Sequence, residues 1–431
     1  MSAELEKTWS ICPVCRKRIP ALWRRKGKGI VLGKKCPEHG KFFAPLWKGY
    51  LDPDQWKGKI RPVTEEESRN CASCPGIGEC SSHRRDTCCT LLEVTERCNM
   101  NCAFCFAPSR SREDPSAGQV KAWILDLTVP GKTFLQLSGG EPTLRDDLPE
   151  IIRFAKTAGC KYVQVNTNGL RLAQDEAYVK ELAEAGLDIV FLSFDGVNED
   201  VYLKLRRRPM MEIKKKAIEN CGKYGIGVTL VPVIVPGVNE QEIGEILRFG
   251  IARSPIVRGI HFQPVSFFGR IPYEPKAEDR FTLDQMIWEL AKQSGGLVNM
   301  RNLIPSCCDH PLCGFHGDFI VMPDRTLLPL SKKRSCCCGA PEPETDPAEM
   351  NREFVGRRWS AAAAERPETA ESAEPDMSDM DTFINRVKRY SFTLTSMAFQ
   401  DAWNLDMERL MQCSLHVYKD GRIRPFCITY I

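Results

Sequence analysis

TLLEVTERCNMNCAFCFAPS, residues 90–109, opens as an apolar strand and then places Cys98, Cys102 and Cys105 within eight positions. The next cysteine along the chain is Cys160. Three thiolates this close suit a four-iron, four-sulfur cluster, one of whose irons is then left without a protein ligand. An open position of that kind separates a catalytic metal centre from a structural one, because a cofactor or substrate must reach the metal. A zinc site completed from elsewhere in the chain also fits three cysteines taken alone. What surrounds them decides between the two.

From residue 90 onward, apolar β-branched runs alternate with helix-period segments. The runs are TLLEVTERC, TFLQLSGGEP, KYVQVNTNG, DIVFLSFDG, GVTLVPVIV and GIHFQPVS. Segments between them, such as DEAYVKELAEAG and EQEIGEILRFG, end in glycine as helix C-termini commonly do. Six strand-then-helix units predict a parallel sheet, and nearly continuous apolar strands predict burial on both faces. The fold class expected is α/β, a partial (β/α)6 TIM-like barrel with cysteine-rich metal-binding extensions at both ends.

Functional residues of such folds sit at the carboxyl ends of the strands. The first run ends at Cys98, the second at Ser138, Gly139, Gly140 and Glu141, the third at Asn166, Thr167 and Asn168, the fourth at Ser193 and Asp195, and the sixth at Gln263. GGEP alone reads as a turn, and so does NTNG. Their joint placement, with the cysteine motif after strand one and GGEP after strand two, selects the iron-sulfur reading over zinc.

The remaining composition sets bounds. With 431 residues and 42% apolar content the chain can hold several domains with a sizeable core. A net charge of +4 gives no electrostatic footprint for nucleic acid or a membrane surface. The opening residues lack the pattern of a secretory signal, and GVTLVPVIVPGV is too short and proline-broken to span a bilayer, so a soluble cytoplasmic protein is expected. Twenty-one cysteines in a large chain of this kind point to thiolates held by metal instead of a disulfide framework.

These cysteines fall into groups along the expected domains. Residues 1–62 carry Cys12, Cys15 and Cys36 with a hairpin between them, a rubredoxin or zinc-ribbon pattern for one iron or zinc, with His39 the local candidate for the fourth ligand. Residues 63–89 bring Cys71, Cys74, Cys80 and Cys88, enough to close an auxiliary iron-sulfur cluster. The barrel takes 90–270, and 271–338 bears Cys308, Cys313 and the triplet Cys336–Cys338. Residues 339–378, rich in Ala, Glu and Pro, read as a flexible linker. In 379–431, HVYKDGRIR predicts a hairpin with a three-residue Lys-Asp-Gly loop, setting Tyr418 opposite Arg422 and Cys413 opposite Cys427. Directly opposed residues share a face roughly 5 Å apart, so Cys413 and Cys427 are expected to join Cys308 and Cys313 around a second auxiliary cluster. A two-residue turn would put them on opposite faces, and buried core cysteines are the plain alternative.

The motif C-x-x-x-C-x-x-C after strand one, with SGGEP after strand two, resembles the radical S-adenosylmethionine (SAM) superfamily over residues 90 to about 270. The resemblance implies that the spare iron chelates the amine and carboxylate of SAM, that Cys98, Cys102 and Cys105 are the catalytic ligands, and that Phe104 lies by the adenine. It further implies SAM contacts from Ser138, Gly139, Gly140, Glu141, Ser193 and Asp195, with Asn168 and Gln263 on the same rim. Glu141 would accept from the ammonium. CPVC and CPEHG at the start, CCDHPLC later, and DMERLMQCSLHV with GRIRPFC at the end are similar to the archaeal tetraether lipid synthase group, some members of which have been described as pterin methylases, and to bacterial radical SAM proteins, some with selenocysteine. The triplet Cys336–Cys338 and the Ala-rich linker depart from the lipid synthase pattern.

The implied function is reductive cleavage of SAM to a 5′-deoxyadenosyl radical that activates an inert C–H bond, for carbon–carbon or carbon–sulfur bond formation or methylation. A reductant such as ferredoxin or flavodoxin would supply the electron, and a small molecule or lipid would be the substrate. A multi-cluster electron carrier without catalysis, or a zinc-organised interaction module, are the competing classes.

Overall fold

The computed structural model describes residues 4–56, 87–107, 113–330, 346–360, 379–419 and 421–431. Four antiparallel strands come first: β1 (Glu4–Ile11), β2 (Arg18–Lys26), β3 (Gly29–Cys36) and β4 (Gly40–Trp47), paired in sequence order. The expected hairpin turns at Gly27, whose φ of +61° lies in the left-handed region, with Lys26 opposite Gly29.

The apolar runs form β5 (Cys89–Thr95), β6 (Phe134–Gly139), β7 (Tyr162–Thr167), β8 (Ile189–Ser193), β9 (Gly227–Val231) and, after the two-residue β10 (Val233–Ile234), β11 (Val257–Pro264). All six are parallel neighbours in the order β5–β6–β7–β8–β9–β11, a partial barrel whose strands are buried on both faces. Helices cover the outside, for example Leu148–Thr157 and Glu176–Glu184, whose buried faces carry Ile151, Ile152, Val179 and Leu182.

Chain ends widen this sheet on both edges. On one side β15 (Ser391–Met397) runs parallel to β11, and β13 (Gly314–Val321), with β12 (Ile304–Pro305) and β14 (Leu327–Pro329) on it, follows antiparallel. On the other, β16 (Leu415–Lys419) runs parallel to β5 and carries β17 (Arg422–Pro425). The six expected parallel strands are therefore eight.

Two expectations change here. Lys419 pairs with Arg422 and Tyr418 with Ile423, leaving two residues between the strands instead of three, with Gly421 at φ +73°. The pairing also stops short of both cysteines: Cys413 precedes β16 and Cys427 lies in the short helix Phe426–Thr429. Inside the stretch read as a linker, residues 347–359 form a helix capped by Asp346, and its Ala348 and Trp359 are buried. Apolar burial of that one face outweighs the Ala- and Glu-rich composition around it.

The ribbon is fastened to the barrel by buried polar contacts. Lys34 Nζ donates to Ser10 Oγ at 2.9 Å and to the Ala402 carbonyl at 2.7 Å. Thr8 Oγ1 and Trp23 Nε1 both donate to Asp406. The backbone N–H groups of Lys48, Gly49 and Tyr50 converge on the Asp284 carboxylate at 2.8–3.2 Å.

Candidate active site

The cysteine loop leaves β5 and is pinned at both ends. Ala103 N donates to the Leu205 carbonyl at 2.9 Å, while Cys105 and Arg270 exchange two backbone hydrogen bonds at 3.1 and 2.8 Å. Cys98, Cys102 and Cys105, each partly buried, line one cavity of about 310 Å³ at the carboxyl ends of the strands. Thiolates that share one zinc sit about 2.3 Å from it and hence close together, and among the described residues the triad is not that tight. Ligands of a cluster each bind a different iron, which suits the wider spacing. Burial pushes the Cys98 thiol up to about 11 and raises that of Cys105. Bound metal reverses such shifts, since it deprotonates its ligands.

SGGE backs directly onto this loop. Gly140 N donates to the Thr95 carbonyl and Glu141 N to the Arg97 carbonyl, both at 2.8 Å. A Cβ on Gly139, whose φ is +127°, would lie 2.0 Å from Thr95 O, and one on Gly140 2.2 Å from Arg97 O. The glycines therefore admit the cysteine loop itself.

Glu141 is engaged within the protein as well as lining the cavity. Its Oε1 accepts from Thr143 N, Thr143 Oγ1 and Thr167 Oγ1 at 3.1, 2.6 and 2.7 Å, and its Oε2 from Asn168 N at 2.7 Å. A carboxylate has about four acceptor positions, two on each oxygen, so protein donors saturate Oε1 and use one position of Oε2. Glu141 is a brace between the ends of β6 and β7. Asn168 extends the brace by donating from Nδ2 to Asn99 Oδ1 at 2.8 Å, within the cysteine loop.

Asp195 is fully buried and is not among the residues lining the cavity. Its two oxygens hold Arg206 in a bidentate pair at 2.6 and 2.7 Å. Arg206 does line the cavity, near enough to Cys102 to interact with its thiol electrostatically. A fixed cation thus stands beside the triad where sequence reasoning had put a carboxylate. Its signal was weak: the last residue of the charged helix Glu199–Arg206 reads as a solvated face. Lys214, also missed, is buried and donates to the Asn168 carbonyl at 2.5 Å and Ser193 Oγ at 3.1 Å, tying the ends of β7 and β8.

Ser138, Ser193, Asn168 and Gln263 line the cavity as expected for rim residues, and so does Phe104, edge-on to Phe267 and Tyr273 at 6.0 and 6.2 Å between centroids. Among the described residues the Gln263 side chain has no hydrogen-bond partner. The donor set fits a cluster with SAM: three thiols at an open mouth, a buried guanidinium beside them for a carboxylate, and rim hydroxyl and amide groups for a nucleoside.

In the ribbon, the ligand atoms of Cys12, Cys15, Cys36 and His39 lie within 4.8 Å of one another. His39 Nδ1 stands 3.7 Å from Cys12 Sγ and 3.5 Å from Cys36 Sγ. Three sulfurs and one imidazole at this spacing can hold a single tetrahedral ion.

The other cysteines sort differently from the expected sets. Cys71, Cys74 and Cys80 lie outside the described residues, as does the triplet Cys336–Cys338. Cys88 packs against Cys308, with Cys89 and Cys307 next to them in the chain, and it accepts from Asn351 Nδ2 at 3.0 Å. Cys413 instead neighbours Cys427 and Cys313. Cys308 therefore parts from Cys313, Cys413 and Cys427 and belongs with Cys88, because β16 brings Ser414 onto Asp309 and Cys308 next to the start of β5. Cys88 and Cys89 line the same cavity as the triad.

Comparison with known proteins adds two family matches, two relatives and one solved structure. Residues 92–250 match the family model described as the Radical SAM superfamily, and residues 4–48 match an HMPTM N-terminal zinc ribbon domain. The chain is 33% identical to the 7,8-dihydro-6-hydroxymethylpterin dimethyltransferase of Methanocaldococcus jannaschii, over 99% of this chain and 93% of that protein. It is 34% identical to a probable GTP 3′,8-cyclase of Methanothermobacter thermautotrophicus over 39% of this chain and 55% of the other. The solved structure of methylornithine synthase (PylB) gives a TM-score of 0.38 at 17% identity, covering 51% of this chain and 65% of that one.

Proposed function

The chain is a member of the radical SAM superfamily, in the group of the pterin dimethyltransferase that it matches end to end, and from that premise we propose that it is a cytoplasmic enzyme methylating a pterin-type small molecule at an unactivated carbon. No helix among the described residues is long and apolar enough to cross a membrane. The observation that supports the reading most is the open thiol triad on the same cavity as Arg206. When bound there, the four-iron cluster and SAM supply one-electron cleavage of the sulfonium to methionine and a 5′-deoxyadenosyl radical, with the electron from a low-potential donor such as ferredoxin or flavodoxin.

The chain's own residues hold and shield this chemistry. Arg206, fixed by Asp195, offers a guanidinium to the carboxylate of the methionine part. Glu141 and Lys214 keep the ends of β6, β7 and β8 in register, so the hydroxyl and amide groups of Ser138, Ser193 and Gln263 face the nucleoside. Phe104 with Phe267 and Tyr273 walls the mouth and keeps water out. In this reading Cys12, Cys15, Cys36 and His39 hold one iron or zinc, and the Cys88–Cys308 and Cys313–Cys413–Cys427 groups contribute to auxiliary iron-sulfur clusters. An electron carrier without catalysis would be served by closed clusters, and the triad opens on a cavity instead.

Anaerobic incubation of fully iron-loaded protein with SAM and dithionite tests the reading. It is expected to yield 5′-deoxyadenosine and, when 7,8-dihydro-6-hydroxymethylpterin is added, methylated product whose methyl group comes from a second SAM that leaves as S-adenosylhomocysteine, with dithionite supplying the two electrons consumed. Protein with a full complement of iron that forms neither 5′-deoxyadenosine nor a methylated product would overturn it.

A further inference from the structure

The cavity continues below the rim into the barrel lumen. Side chains alternate along each strand, so the layer beneath Ser138, Ser193 and Gln263 consists of Gln136 on β6, Phe191 on β8 and His261 on β11, all lining the cavity. Its floor is Trp359, from the helix inside the linker region. The Trp359 indole N–H donates to Thr393 Oγ1 at 2.8 Å, and the ring packs 5.4 Å from Phe191 and 6.1 Å from His261 between centroids.

Polar groups in this layer are incompletely used. His261 Nδ1 is 2.8 Å from Thr395 Oγ1, while its Nε2 has no partner among the described residues. Burial brings His261 down to about 4, so the ring is neutral near pH 7. Gln136 is buried, and its carboxamide has no hydrogen-bond partner among the described residues. Burying such groups unpaired is costly. The acidic and basic side chains lining the cavity, apart from its histidines, are Glu141, Arg206 and Asp309. Each is engaged elsewhere: Glu141 in its brace, Arg206 by Asp195, and Asp309 by Ser414.

We propose that His261 and Gln136 are specificity-determining residues that read the edge of an uncharged flat heterocycle lying against Phe191 above Trp359. A carboxamide offers a donor and an acceptor side by side, the complement of a ring edge with adjacent N–H and C=O. The imidazole Nε2 supplies one further bond. Aromatic walls favour a flat ring, and the absence of an uncommitted charge disfavours phosphate, carboxylate or ammonium at this depth. An alkyl chain entering the same layer would leave Gln136 and His261 unpaired. The inference rests on the reaction proposed above, since it assigns the site where that substrate is read.

The test is anaerobic titration calorimetry of the iron-loaded full chain with 7,8-dihydro-6-hydroxymethylpterin, its N3-methylated form, and dodecanol as the alkyl probe. Wild type is expected to bind the pterin at least tenfold more tightly than either other probe. His261→Leu and Gln136→Leu are each expected to weaken pterin binding at least tenfold and to leave iron content and SAM affinity unchanged. The N3-methyl comparison uses wild type alone and so does not depend on either variant folding. Equal binding of the two pterins, no pterin binding by wild type, or unchanged affinity in both variants would overturn the inference. Formation of 5′-deoxyadenosine without any pterin is scored separately, so the proposed reaction can stand when this inference falls.

Discussion

Replacing Glu141 by Gln separates a brace from a ligand. The carboxylate accepts four protein hydrogen bonds, three on Oε1 and one on Oε2. With the amide oxygen kept on the Oε1 side, the new NH2 faces the Asn168 N–H, donor against donor, where a 2.7 Å bond had been. An orphaned buried donor costs roughly 1–3 kcal/mol, and bonds to a charged acceptor are worth roughly 1.5–3 kcal/mol each, part of which the remaining three lose. The expected destabilisation is about 3 kcal/mol, which at an m-value of about 3 kcal/mol/M moves the urea midpoint down by about 1 M. Urea titration of the barrel by circular dichroism reads this, with SAM affinity measured on the folded variant. An unchanged midpoint together with a tenfold loss of SAM affinity, about 1.4 kcal/mol, would refute the reasoning and make Glu141 a direct partner of the SAM ammonium.

Three further outcomes follow from the geometry. Gly140→Ala should cost about 1–3 kcal/mol and lower triad-bound iron, since its Cβ would fall 2.2 Å from Arg97 O; electron paramagnetic resonance of the reduced protein and iron analysis check it. His261, with its folded value lowered from 6.5 to about 4, takes up fewer protons than the unfolded chain between those pH values, so it reduces stability as pH falls through that window. His261→Asn should remove up to about 3 kcal/mol of this acid loss, measured by urea titration at pH 7 and pH 4.5. His39→Ala should deplete the single ion of the ribbon while sparing iron elsewhere, read by metal analysis and by the absorbance of cobalt-substituted protein.

Short-range spacing made much of this legible. The six apolar runs became β5 to β9 and β11, because β-branched alternation with helical segments is local information. The triad, the GGEP rim and the His39 contact were legible for the same reason. Arg206 and the role of Asp195 were not, since their meaning depends on which wall a helix end faces. Nor did the sequence reveal that SFTLTSM would join β11: strand propensity names no partner, and Gly259 and its register mate Thr393 are 134 positions apart. The tail hairpin went wrong on the balance between two- and three-residue turns, both compatible with Lys-Asp-Gly. Composition hid the helix 347–359, although Phe354, Val355 and Trp359 were apolar anchors within it.

The pairing of β5 with β16 has a consequence for biosynthesis. Leu91 lies opposite Val417, so the first strand of the barrel meets its outer neighbour only after the 326 positions that separate them have been translated. At about 5–20 residues per second, roughly 15–65 s pass between emergence of the two. Throughout that interval a nascent edge strand, with the triad cysteines just beyond it, waits without its cover, and iron delivered early meets a scaffold whose second thiol set has not yet been translated.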